Sequence, residues 1–316
     1  MNESSDHMTS RDLLAVTLVI LLWGMNFVPT KFALEDFTPF QLGAGRFLLA
    51  AFPLILLVPR LKIPFKWLLF YALTQGVGQF GFLFVALKIG MSAAMASVLM
   101  QTQIFFTALF GVLLLKEVIP ASLKWGMAVA AAGLICFALN VALADGGNSA
   151  ASVSWAGFAL TLAAASMWAS SNVVVKKLQA SQMPYTPLSL IAWSSLISGL
   201  AFIVISWLFD DPSTRLSWLQ ASALSWGSLL YAGWGAGVLA FWLWTVLLMR
   251  YPASRVAPYS LGIPLVGLLA GIFILQETVA PLQWLGSALV MSALVLVVGG
   301  SLYSAKRMQR RYRQPL

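Results

Sequence analysis

Nine stretches of this chain contain no Asp, Glu, Lys or Arg, and most are long enough to cross a bilayer. They are residues 13–30, 67–87, 89–115, 125–144, 146–175, 178–209, 216–249, 256–276 and 278–305. Spanning the hydrocarbon core takes about 20 apolar residues. A tenth stretch, 37–59, is broken by one charge, Arg46. No soluble fold of 316 residues could hide so much apolar surface, and the charges fall between the stretches, where loops would put them. The expected fold class is an all-α integral membrane protein of ten transmembrane helices.

The net charge of +9 can signal nucleic acid, but here it serves as a test of topology. With the N-terminus in the cytoplasm, 15 of the 19 Lys and Arg lie on the inner side, five of them in the tail at 304–316. Three lie outside, Lys31, Lys88 and Arg215, and Arg46 lies within the membrane. The excess predicts a cytoplasmic membrane protein with both termini cytoplasmic, its basic tail an anchor and not a nucleic-acid arm. The segment 1–12 is expected in the cytoplasm; its first seven residues, MNESSDH, are polar and lack a signal-peptide pattern, so the first apolar stretch reads as a retained span. Cys136 and His7 are the only residues of their kinds. They allow no intrachain disulfide and no Cys/His metal site, and no cofactor is expected.

The spans are expected near 13–34, 39–58, 66–88, 92–115, 122–143, 154–176, 186–209, 223–249, 253–276 and 281–303. The stretch 144–153, ADGGNSAASV, reads as a linker between repeats at 13–143 and 154–303. Trp23 and Lys31 in span 1 share the eight-residue spacing of Trp168 and Lys176 in span 6. GVLLLKE at 111–117 ends span 4, and GIFILQE at 271–277 ends span 9. An odd number of spans per half places the second half upside down relative to the first. Such inverted repeats can exchange conformations and carry a central site from one face to the other.

The chain resembles the drug/metabolite transporter superfamily, and within it the EamA family of ten-span exporters. The resemblance rests on LWGMNFVPTKFAL at 22–34, AGRFLLAAFP at 44–53, ASVLMQTQIFFTALFGVLLLKE at 96–117, LTLAAASMWASSN at 160–172 and RYPASRVAPYSLGIPLVGLLAG at 250–271. It runs from about residue 13 to 303. It implies a carrier in the cytoplasmic membrane that moves small amino-acid-like metabolites outward, cysteine-pathway compounds such as O-acetylserine among them. The resemblance also extends to an Arg before an apolar residue in the second span, here Arg46-Phe47.

Polar residues within the spans are the candidates for a substrate site. Arg46 lies seven residues past Pro39, roughly 10 Å along its helix at 1.5 Å per residue. It either snorkels to the surface or faces the bundle, and the small residues Gly43, Gly45 and Ala50 around it favour the bundle. Gln75 and Gln79 share one face of span 3, as Ser97 and Gln101 do in span 4. Trp23 and Asn26 form a stripe in span 1, and Trp168 and Asn172 its counterpart in span 6. Amides in lipid need partners, which a wet cavity or an interhelical hydrogen bond can supply. Pro258 and Pro264 free backbone groups in span 9 and suit a gating helix, with Tyr259 set between them to line the path. The expected substrate-binding set is thus Trp23, Asn26, Arg46, Gln75, Gln79, Gln101, Trp168, Asn172 and Tyr259.

All ten acidic residues fall at span ends or in loops, which argues against a buried carboxylate proton relay. The adjacent pair Asp210-Asp211 reads as a solvated loop, and there is no GxxxxGK[ST] phosphate loop. A membrane enzyme is the rival class, and it would need a nucleophile with a base, paired acids or a metal cluster at the interface. Among carriers the alternatives are sugar phosphates, nucleotide sugars or hydrophobic amines. Phosphate carriers want several buried cations.

Overall fold

Thr38-Pro39 and Thr186-Pro187 open the second span of each half in the same way. Each Thr hydroxyl accepts the backbone N–H three residues on, from Gln41 and from Ser189, both at 3.1 Å. Each Pro fills the first turn, where no N–H is needed. Ser92, Ser154 and Ser222 cap three further spans with their hydroxyls. The computed structural model describes residues 8–117, 120–143, 154–251 and 253–313, and these are helical nearly throughout. The linker at 144–153, the first seven residues and the last three lie outside the described residues.

The spans are α1 Ser10–Asp36, α2 Pro39–Leu57, α3 Phe65–Lys88, α4 Ala93–Leu115, α5 Ala121–Leu143, α6 Trp155–Ala180, α7 Pro187–Phe209 and α8 Ala223–Arg250. A turn of helix at Ala253–Val256 precedes α9, Pro258–Ile274, and α10 is Pro281–Arg313. Among the described residues nine of these are long and apolar enough to cross a membrane, and α9 is shorter. Helix α10 continues past the expected end of its span to Arg313.

The packing repeats itself when the halves are exchanged. Helix α2 packs on α7, and α5 on α10, so that each pair joins equivalent spans. Helix α1 packs against α8 and α9, and its counterpart α6 against α3 and α4. The centre of α8 lies on α2, and the centre of α3 on α7. These relations are those of two five-helix repeats about a two-fold axis, inverted because each repeat has an odd number of spans. The GxxxG spacings sit in these seams. A Cβ on Gly233 would lie 2.7 Å from Leu49 Cβ of α2, and one on Gly267 would lie 2.5 Å from Ser97 Cβ of α4. A core that includes Phe84, Met91, Met95 and Leu99 binds α3 and α4 into the bundle.

Regular helix gives way near the middle of four spans and at the start of a fifth. Pro29 has no N–H for the Met25 carbonyl, and α1 breaks at Asn26, whose own N–H turns to Trp23 O at 3.3 Å. Helix α3 carries a π-helical segment at 72–78, and α8 one at 231–239. Both are Gly-rich, with Gly76 and Gly78 in the first and Gly233, Gly235 and Gly237 in the second. Helix α4 tightens to 3-10 geometry at 100–102, and the segment Ala257–Leu261, with Pro258, does so at the start of α9. Such departures concentrate at functional sites.

The two ends of the bundle can be named by their acids. At the Asp12 end, Asp12 accepts Arg250 Nη1 and Tyr251 Oη, both at 2.8 Å, which ties α1 to the end of α8. At the Asp36 end, the Asp36 carboxylate accepts the Ser222 N–H at 2.8 Å and Asp210 accepts the Thr38 hydroxyl at 2.6 Å.

Candidate functional site

Arg46 faces the bundle and does not snorkel. Only 6% of its surface is exposed. Its Nη1 donates to Asn26 Oδ1 at 3.2 Å, and its guanidinium carbon lies 4.2 Å from the centre of the Phe80 ring. Among the described residues Lys176 pairs with Glu117 and Arg250 with Asp12, whereas Arg46 has no carboxylate partner. A cation buried without a counter-ion costs several kcal/mol unless polar groups, water or a ligand offset it, on the order of 2.5–3.5 kcal/mol by insertion scales.

The polar groups around it come from both halves. Arg46 lines a central cavity of about 120 Å³ with Trp23 and Asn26 of α1, Gln75 and Gln79 of α3, Gln101 of α4 and Trp168 of α6. Phe27, Phe80, Leu83, Ser97, Met100, Ala236, Phe241 and Ile263 complete the wall. That volume is the share of roughly four waters. The irregular segments of α1, α3, α4 and α8 all reach this cavity, so the helix breaks and the site coincide.

Several wall groups are held by their neighbours. Trp23 Nε1 donates to Ala236 O of the α8 π segment at 2.9 Å, and its ring meets Phe241 edge-on at 5.2 Å. Ser171 Oγ donates to Gln75 Oε1 at 2.6 Å and joins α6 to α3. Ser97 Oγ lies 2.7 Å from Ala94 O and 3.3 Å from Pro264 O, between α4 and α9. Gln79 Oε1 is buried and accepts no hydrogen bond.

Two expected site residues lie elsewhere. Asn172 does not line the cavity; its Nδ2 donates to Gln103 Oε1 at 3.0 Å and Thr107 Oγ1 at 3.1 Å, so it bridges α6 to the second half of α4. Tyr259, in the 3-10 turn at 257–261, is 36% exposed and also lies off the cavity wall. Phe80 and Phe241 were missed as wall residues. Phe80 follows Gln79 directly, and Phe241 lies just past the Gly-rich segment of α8, which was the sequence signal for both.

A larger cavity, about 630 Å³, lies between α2, α7 and the 212–218 turn near the Asp36 end. Its wall is mostly apolar, with Trp207, Trp218 and Trp226, and none of the central amides reaches it. The smaller cavity is the candidate because the buried polar side chains converge there.

The ends of α4 and α9 carry a second constellation. Lys116 and Gln276 both turn left-handed, at φ 57° and 54°, and the next residue's N–H bonds back to Gly111 O or Gly271 O. Each turn swings a glutamate against its own helix. A Cβ on Gly111 would lie 2.5 Å from Glu117 Oε2, and one on Gly271 would lie 2.6 Å from Glu277 Oε2. The carboxylates then part company. Glu277 accepts the Ala93 and Ala94 N–H groups at the start of α4, at 2.7 and 2.8 Å. Glu117 pairs with Lys176 of α6 at 2.7 Å. Accordingly the first half of α4 packs on α9 and its second half on α6.

Comparison with known proteins agrees with this architecture. A protein of Escherichia coli K12 described as a probable amino-acid metabolite efflux pump is 37% identical over 294 residues, which covers 93% of this chain and 96% of that protein. A protein of Salmonella typhimurium with the same description is 38% identical over 295 residues, with the same coverage. One solved crystal structure aligns over 97% of this chain and 100% of its own, with a TM-score of 0.61 at 19% identity, and supports the fold. The EamA-like transporter family matches twice, at residues 11–139 and 155–299, once for each five-helix half. The chain belongs to the EamA-like transporter family.

Proposed function

We propose that the protein exports small amino-acid-like metabolites across the cytoplasmic membrane by alternating access, with both termini in the cytoplasm. Arg46 carries this reading: a buried cation with no carboxylate partner, in a small cavity between the halves, waits for an anion. A substrate carboxylate fits that need, and Arg offers it a planar two-pronged donor. The related proteins described as probable amino-acid metabolite efflux pumps support the same class. A sugar phosphate would call for more than one buried cation.

The two glutamates supply the alternation. Glu277 latches α9 to α4 at the Asp36 end, which the charge distribution assigns to the outside. At the Asp12 end the equivalent Glu117 is turned to Lys176. In an inverted repeat the other state exchanges these roles. Glu117 would move to the first turn of the helix at Ala253–Val256, and Glu277 would turn to Lys31, the repeat mate of Lys176. Lys31 and Glu277 already line one depression of about 490 Å³.

Purified protein in proteoliposomes loaded with single radiolabelled solutes tests the reading. Small zwitterionic amino acids should leave faster than from protein-free liposomes, and sugar phosphates and nucleotide sugars should not. Efflux of phosphates but of no amino acid overturns it, and turnover of a solute without net transport favours an enzyme.

A further inference from the structure

Gln79 is 4% exposed, lies at the end of the α3 π segment and lines the same cavity as Arg46. Three other acceptors on the wall already have donors. Asn26 Oδ1 takes the Arg46 guanidinium, Gln75 Oε1 takes the Ser171 hydroxyl, and Ala236 O takes the Trp23 indole. Gln79 Oε1 accepts nothing. A buried carbonyl without a donor is an expensive thing to keep beside a buried cation.

We propose that Gln79 is a specificity-determining residue that reads the α-amino group of the substrate through Oε1, while Arg46 holds its carboxylate. The inference rests on the amino-acid exporter reading and narrows it. An ammonium has three donors and no acceptor, so it can use a free carbonyl oxygen and cannot use an amide N–H. A neutral acceptor also suits the task better than an acid. A carboxylate at this position would neutralise Arg46 internally and compete with the substrate for it. The acids of the chain all lie at span ends or in loops, which leaves an amide oxygen to receive the charge. Trp23, Trp168, Phe80 and Phe241 enclose the remainder, so the side chain of the bound zwitterion must be short.

The test compares whole zwitterions with analogues that lack one charge. L-Serine and L-cysteine are measured against 3-hydroxypropanoate and 3-mercaptopropanoate, which lack the ammonium, and against ethanolamine, which lacks the carboxylate. Equilibrium competition is read on purified full-length protein. Wild type should prefer each amino acid over its deaminated partner by about tenfold or more, as a hydrogen bond to a charged group allows. Gln79→Leu should reduce that preference to within about threefold by weakening amino-acid binding, while binding of the deaminated acids stays unchanged. Arg46→Gln should instead remove the preference for amino acid over ethanolamine. Equal wild-type affinity for amino acid and deaminated acid overturns the inference without any variant. So does an unchanged preference in Gln79→Leu with amino-acid binding intact, and that result leaves the exporter reading standing. Failure of wild type to bind either amino acid removes both.

Discussion

Glu117 and Glu277 occupy equivalent places in the two repeats and make different bonds. Glu277 caps the first turn of α4 through two backbone N–H groups, whereas Glu117 pairs with Lys176 of α6. Everything around them matches: the left-handed residue before each, the N–H returned to a glycine carbonyl, and the glycine against which each carboxylate rests. Matched parts in unmatched positions are what the proposed two-state exchange requires of either state. They also separate the effects of changing each residue.

Replacing Glu277 should loosen the latch at the Asp36 end. Glu277→Gln weakens two bonds to a charged acceptor, each worth about 1.5–3 kcal/mol in the native state. Hydrogen exchange at Ala93 and Ala94 should rise by tenfold or more, and Glu117→Gln should leave those amides as they were. Unchanged exchange in Glu277→Gln contradicts the latch.

Reversing the other pair tests whether Glu117 must move. The Lys176–Glu117 pair is more than a third exposed on each side, so it contributes about 1 kcal/mol or less. A doubly substituted Glu117→Lys, Lys176→Glu protein keeps an ion pair and should melt within a few degrees of wild type. It should not transport, because a lysine cannot accept N–H groups at a helix start. Restored efflux in the double variant would falsify the exchange.

Arg46 should trade function for stability. Arg46→Met removes an uncompensated buried charge and should leave the melting temperature unchanged or higher. Efflux should fall about ten- to a hundredfold, the worth of a charged hydrogen bond. Arg46→Lys should recover part of the loss, since an ammonium cannot reproduce the fork or its stacking on Phe80. Full activity in Arg46→Gln at equal protein level excludes Arg46 from the site.

Asn172 should behave as a structural residue. Asn172→Ala strips the donors from Gln103 and Thr107 and should cost about 1–2 kcal/mol, read as a lower melting temperature. Apparent substrate affinity should stay within a factor of two. A selective change in affinity with no loss of stability would return it to the binding site.

Topology is open to a direct measurement. In a Cys136→Ser background, a thiol at Asn148 should react with an impermeant reagent in intact cells, and a reporter after Leu316 should be active in the cytoplasm. Labelling that requires an opened membrane contradicts the charge-based orientation.

Much of this was legible in the sequence because hydrocarbon is an unforgiving solvent. Charge-free stretches fixed the spans to within a few residues, as at Ala93–Leu115 and Pro187–Phe209. Small neighbours pointed Arg46 inward, and the polar stripes of α1 and α3 converged on it. The misplaced residues, Tyr259 and Asn172, have different causes. Tyr259 was expected on the path because it sits between Pro258 and Pro264, and the structure puts it in a 3-10 turn off the cavity wall. Asn172 sits one residue past Ser171, and that single step carries it from the cavity-side α3 contact to α4. The π segments of α3 and α8 left only clustered glycines as a trace, and clustered glycines also mean close packing.

The G-x-x-x-L-x-E ends of α4 and α9 bear on how such a protein can diverge. On the proposed exchange the two ends trade places in every cycle, so each must perform both tasks and neither can specialise. A change that improves one as a latch must also suit it as the released arm. The rest of the two halves is free of that obligation. On that reading the resemblance between residues 111–117 and 271–277 records a shared duty as much as a shared origin.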